Sequence, residues 1–279
     1  MAKKRDTRAH LASHLMYGVC IAAAAVIVGT LVLITGYLLA IGLHSLHWSF
    51  FTNLPRSDPP GMRNSIEGTL ILVLLASVVG IPVGTAAGVY LSEYEVDSML
   101  AVPVRFVCDV LAGVPSIVVG ILGYELLVVP AGTYSGWAGA MALAFIMVPI
   151  VARTTEEMLR LVPRSYREAS IALGATKART IVNVVMPSAT GSLVTGAMLA
   201  VARVAGETAP LLFTAVGSDF VVHDPAKPFP SLTLRIYELS NEASPAARAQ
   251  AWSGILVLVA LILLVNLAVR YFTRRRVAR

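Results

Sequence analysis

Residues 68–92 read GTLILVLLASVVGIPVGTAAGVYLS, 25 consecutive positions without a charge. A helix needs about 20 mostly apolar residues to cross the hydrocarbon core of a bilayer, so this stretch predicts a membrane-spanning helix. Tyr17 to Leu43 is a second uncharged run, of 27 residues. Further apolar segments extend from about Phe106 to Val129 and, after a Pro130–Ala131–Gly132 break, from about Ser135 to Ala152. Two more run from about Ala189 to Val216, with two charges inside, and from Ala249 to Val269. The expected fold is therefore all-α, a polytopic membrane protein with six transmembrane helices.

Composition agrees. Of 279 residues 57% are hydrophobic and 14% charged, with mean hydropathy +0.76, whereas a soluble domain carries about 25% charged residues. Cytosolic domains, disordered chains and secreted disulfide scaffolds are excluded. The net charge of +6 collects at the termini and in one loop, away from stacking aromatics, so nucleic-acid binding is not expected. Cys20 and Cys108 lie in apolar runs and read as small buried residues.

Lysine and arginine set the orientation. With the N-terminus in the cytoplasm, that side receives 4 at Lys3–Arg8, 1 at Arg105, 6 between Arg153 and Arg179 and 5 from Arg270 onward, or 16. The other side receives 5: Arg56, Arg63, Lys227, Arg235 and Arg248. Both termini are expected in the cytoplasm of a multi-pass protein of the bacterial plasma (inner) membrane. The first span is too long for a signal-peptide core of about 7–15 residues and reads as a retained anchor. The expected organisation is a cytoplasmic tail (1–16), a first transmembrane helix (17–43), an external loop (44–64), a membrane domain (65–270) and a basic cytoplasmic tail (271–279). In the external loop His44, His47 and Trp48 fit an interfacial belt better than a metal site. Gly80, Gly84 and Gly88 recur every four residues, a spacing that lets helix backbones approach closely in lipid.

Two regions carry chemistry. The loop at 153–187, RTTEEMLRLVPRSYREASIALGATKARTIVNVVMP, is too polar to span and too patterned to be slack. Pro163 breaks the preceding helix, Ser165 is placed to cap a short helix over Tyr166–Leu173, and Gly174 suits its left-handed end. A second short helix over Lys177–Val185 is expected to stop at Pro187. Charged groups inside spans are functional candidates by default. Arg105 stands at i−4 from Asp109 and is expected to pair with it; Glu125 lies near the far end of its helix. Arg203 and Glu207 sit near the middle of the fifth span at i, i+4, a spacing that allows mutual neutralisation. They read either as a structural ion pair or as an anion contact, because a guanidinium fork suits a tetrahedral oxyanion. No G-x-x-x-x-G-K-[ST] run occurs, so any ATP must be held by another chain. Neither a catalytic residue nor a metal site is expected.

These residues resemble the ATP-binding-cassette (ABC) importer permeases. That family shares a cytoplasmic loop with the pattern E-A-A, three residues, G, nine residues, I-x-L-P, matched here by Glu168, Ala169, Ser170, Gly174, Val184, Met186 and Pro187. The stretches DVLAGVPSIVVG (109–120) and AVARVAGETAPLLFTAVG (200–217) are similar to its phosphate-specific members. The resemblance covers roughly residues 62–270 and implies a type I, MetI-like permease fold. It implies a coupling loop with Tyr166, Arg167, Glu168, Ala169, Ser170 and Gly174 meeting the ATPase, and a phosphate pathway with Arg203, Glu207 and Thr208. The implied partners are a second permease subunit, two ATPase subunits carrying ATP and Mg, and an external phosphate-binding protein, all around the lipid bilayer; no cofactor binds this chain. Another oxyanion, sulfate or molybdate, is the alternative cargo, and an ion-driven secondary transporter the alternative class.

Overall fold

The computed structural model describes residues 2–94 and 101–277, with side chains from Ser13 to Tyr271. The basic side chains expected in the two tails, at Lys3–Arg8 and beyond 271, fall outside the described side chains. Among the described residues the only β pairing is an isolated bridge from Val216 to Phe229. Five helices are long and apolar enough to cross a membrane, within Ser13–Gly42, Arg63–Tyr94, Gly136–Arg160, Lys177–Ala205 and Pro245–Tyr271. A sixth candidate is a broken pair.

The first long helix, α1 (Ala2–Gly42), continues through the segment expected to be a tail. Among its described side chains, anchorage lies near its end: Leu38 is buried, Tyr37 packs edge-on against Trp252 at 5.2 Å, and Ser253 Oγ donates to the Gly42 carbonyl at 2.8 Å. The described apolar side chains from Leu15 to Ile34 are exposed. The segment expected as an external loop folds into α2 (Trp48–Thr52), whose Phe50 is buried with Met62, while Trp48 is 81% exposed.

The core forms where α3 (Arg63–Val89), prolonged by a π-helical turn at Tyr90–Tyr94, lies against α6 (Gly136–Arg160). Between them in sequence, α4 (Ala101–Gly113) and α5 (Ser116–Gly123) were expected as one span; their axes differ by 102°. Pro115 at the break has no N–H and disfavours helical geometry at Val114, which ends α4 and starts α5 in a new direction. A second π turn, Tyr124–Val128, extends α5 and carries the exposed Glu125.

The end of α6 lies at Arg160 rather than Ala152, because Thr155, Glu156 and Leu159 are buried and hold two more turns. The loop helix is α7 (Arg164–Ala172), and α8 (Lys177–Thr180) leads through a third π turn, Ile181–Val185, into α9 (Met186–Ala205). Pro187 thus does not stop the helix. It stands in the first turn after the π segment, where a missing N–H is accommodated by the altered bonding. The expected fifth span ends early, at Ala205, and a short α10 (Ala209–Thr214) follows. Beyond α10, α11 (Leu232–Asn241) joins the cluster of Phe50 and Met62, and α12 (Pro245–Val277) closes the fold.

The glycine spacing does the work expected of it. Gly80, Gly84 and Gly88 all face α6: a Cβ on Gly84 would stand 2.8 Å from the Val148 carbonyl, and one on Gly88 2.5 Å from the Ala152 carbonyl. A backbone oxygen cannot swing aside as a side chain can. Gly88→Ala is therefore expected to destabilise the folded chain by about 1–3 kcal/mol, the usual range for overpacking. Gly18→Ala on α1, with nothing within 4 Å, is the neutral control. Thermal unfolding in detergent checks this; equal midpoints for the two variants would contradict the seam.

Candidate functional site

The connection between α6 and α9 is tighter than a loop. α7 starts at Arg164, with Pro163 in the N-cap position and no side-chain cap, so Ser165 lies inside the helix instead of capping it. Gly174 does end it as expected, at φ +85°, with its N–H donated to Ile171 at 2.9 Å. Only some of the expected loop residues point outward. Arg167 turns into the protein: Nε donates to Glu93 Oε2 at 2.9 Å and Nη2 reaches the other carboxylate oxygen. Its remaining donors bond the Val162 carbonyl at 2.7 Å and the Leu159 carbonyl at 2.9 Å. Bonding to Glu93 raises the Arg167 pKa above its ordinary value despite partial burial, so the guanidinium stays charged. Ser170 also points inward, with Oγ 2.9 Å from Thr180 Oγ1. Tyr166, Glu168, Ala169 and Gly174 remain exposed, beside Leu173, which is 89% exposed. An open cleft of about 520 Å³ lies alongside, lined by Ser92, Glu93, Arg160, Arg164, Arg167 and Glu168.

Below α7 sits a charge cluster that the sequence reading missed. The Glu156 side chain is 1% exposed and meets three guanidinium groups: Arg105 Nε at 2.7 Å, Arg160 Nη2 at 2.7 Å and Arg153 Nη1 at 3.3 Å. Arg105 also donates to the Leu91 carbonyl at 3.1 Å, and Arg153 pairs with Asp109. The expected Arg105–Asp109 pair is thus replaced by two bridges to α6. The physical reason is burial: a buried carboxylate without a partner costs several kcal/mol, whereas the half-exposed Asp109 keeps water. The i, i+3 and i, i+4 spacings of Arg153, Glu156 and Arg160 were visible once α6 is extended; nothing local signals Glu93, whose partner lies 74 residues away.

The third feature is the helix end at Arg203. Arg203 occupies the last turn of α9, and Glu207 and Thr208 lie in the step before α10, so the pair is not in mid-helix. Gly206 at the end of α9 and Pro210 at the start of α10 explain the interruption. Arg203 Nε stands 3.9 Å from Glu207 Oε1, at the edge of ion-pair range and beyond a hydrogen bond, with side-chain exposures of 54% and 16%. The Glu207 carbonyl is held by Thr233 Oγ1 at 3.0 Å. Behind the break α10 packs on α5: a Cβ on Gly120 would stand 2.9 Å from Pro210 Cα, and one on Gly123 3.0 Å from Thr214. The strings 109–120 and 200–217 therefore meet in space. Arg203, half-exposed and loosely paired, retains donors for a ligand.

This architecture, with a charged, partly anchored helix in its interhelical loop, is that of an importer permease, and comparison bears it out. Residues 80–277 match the family model described as "Binding-protein-dependent transport system inner membrane component". The chain belongs to that family, whose members are multi-pass proteins of the plasma membrane. It is 43% identical over 234 residues to the phosphate transport system permease protein PstA of Yersinia pestis, covering 82% of this chain and 79% of the relative. It is 40% identical over 228 residues to PstA 1 of Mycobacterium tuberculosis, covering 80% and 75%. The methionine ABC transporter MetNI in inward-facing form superposes with a TM-score of 0.64 over 84% of this chain and 100% of the other, at 22% identity. That likeness supports the MetI-like fold.

Gly174 offers a local test. A Cβ there has no neighbour within 4 Å, so the positive φ is what opposes a side chain. Gly174→Val is expected to cost about 1–2 kcal/mol at that turn and to re-aim α7, lowering transport while membrane insertion stays normal. Gly174→Asn, tolerant of left-handed geometry, is expected to retain more activity. Full uptake by Gly174→Val at normal abundance would contradict the role given to this turn.

Proposed function

We propose that this chain is a permease subunit of an ABC importer that moves inorganic phosphate into the cytoplasm, with energy from a separate ATPase. The observation that carries the cargo is its 43% identity to a phosphate transport permease along most of both chains. The chemistry of the helix break supports it. A guanidinium offers parallel donors to a tetrahedral oxyanion. A carboxylate 3.9 Å away competes for the same charge and keeps the anion's hold weak enough for release. The Thr208 hydroxyl, beside Glu207, adds a donor.

The partners in this reading are a second permease subunit that completes the pathway, two ATPase subunits that bind ATP and Mg, and an external phosphate-binding protein. The ATPase docks on the outward side of α7, through Tyr166, Glu168 and Ala169, with the turn at Gly174. Arg167 and Ser170 serve the same loop from the inside.

The pathway role of Arg203 separates from a structural one through a double change. Arg203→Gln with Glu207→Gln removes both charges, so no buried charge is stranded, and the complex is expected to assemble. Phosphate uptake is expected to fall by about tenfold or more, the scale of one hydrogen bond to a charged group. Radiolabelled phosphate uptake at matched complex abundance is the measurement. Wild-type uptake by the double variant would assign the pair to structure alone.

A further inference from the structure

The cytoplasmic ends of three helices converge on one guanidinium. Arg167, in the middle of α7, holds Glu93 with both carboxylate oxygens, and Glu93 is carried by the π turn that prolongs α3. The same side chain bonds the Leu159 carbonyl near the end of α6 and the Val162 carbonyl just after it. The Glu93 side chain is 5% exposed and that of Arg167 21%, so the carboxylate is largely shielded from water and salt. By contrast, α7 meets the helix that follows through a neutral hydrogen bond between the Ser170 and Thr180 hydroxyls. Bidentate, charge-assisted bonds are both stronger and more directional than neutral ones.

We propose that Arg167 and Glu93 form the positioning pair that passes a displacement of α7 to α3 and α6. Neither residue touches phosphate or nucleotide in this account. Both act through the helices they hold. Chain connectivity would drag α9 along with any movement of α7, but α3 precedes α7 by about 70 residues and receives motion only through non-covalent contact. The glycine seam then moves α3 and α6 together, because α3 meets the α6 backbone at Gly84 and Gly88 and the Met147 side chain at Gly80. The π turn gives Glu93 its reach: an extra residue in the turn rotates the side chain out of the α3 register and toward α7.

The inference rests on the docking of the ATPase at α7 proposed above. Its test uses the complete importer, purified and reconstituted in liposomes with the external binding protein, and reads phosphate moved per ATP hydrolysed. Two alterations are informative. Glu93→Gln together with Arg167→Gln removes both charges. Arg167→Lys keeps a charge to neutralise Glu93 and gives up the fork, which keeps the test available where the double variant fails to assemble. Phosphate moved per ATP is expected to fall about tenfold or more, while ATP hydrolysis persists. Were the pair only a structural brace, the complex would lose abundance or thermal stability with an unchanged ratio. An unchanged ratio in an assembled variant overturns the proposal. An unaltered complex that moves phosphate without hydrolysing ATP would instead overturn the docking role, and this pair with it.

Discussion

The contact between α3 and α6 through Gly80, Gly84 and Gly88 is the constraint on which the rest of the structure depends. In lipid there is little hydrophobic drive to bring two apolar helices together, and association rests on close packing and polar contacts. Hydrogen atoms in place of side chains let the α3 backbone approach the Val148 and Ala152 carbonyls of α6. That approach fixes where both helices end. It sets Leu91 and Glu93 beside the Arg105, Glu156 and Arg167 groups that arrive from α4, α6 and α7.

Two carboxylates are then buried at the cytoplasmic end, and their burial organises the loop. Neither Glu93 nor Glu156 gains net stability from burial for its own sake, since desolvation of an ion pair commonly equals its attraction. What the pairs supply is definition. Glu156 fixes the relative positions of α4 and α6 through Arg105, and Glu93 fixes α7 on the end of α3 through Arg167. At the opposite extreme, the Arg203–Glu207 contact is long, with Arg203 half-exposed, and defines position far less.

Much of this was legible in the sequence, and the physical reasons for the remainder are specific. Hydropathy located the long spans because the bilayer imposes a length, and the glycine spacing revealed the seam because no larger residue fits it. Gly174 was legible because a left-handed turn needs it. The break at Val114–Pro115 and the end of α9 at Ala205 were hidden because hydropathy is blind to direction: an apolar run that turns through 102° reads like one that does not. Gly206 and Pro210 did carry the signal for the second break. Partners such as Arg167 and Glu93 were beyond reach, since an ion pair 74 positions apart leaves no local pattern. Arg105 chose Glu156 over its neighbour Asp109 on burial, which only the folded chain establishes.

Cargo and energy source together form the central claim, and one reconstitution addresses both. The chain would be placed in liposomes with its second permease and ATPase subunits, phosphate-binding protein outside and ATP with Mg inside. Accumulation of labelled phosphate that requires internal ATP and is not displaced by excess sulfate or molybdate is the predicted result. ATP-dependent accumulation of sulfate or molybdate in its place, or phosphate entry indifferent to ATP, would contradict it.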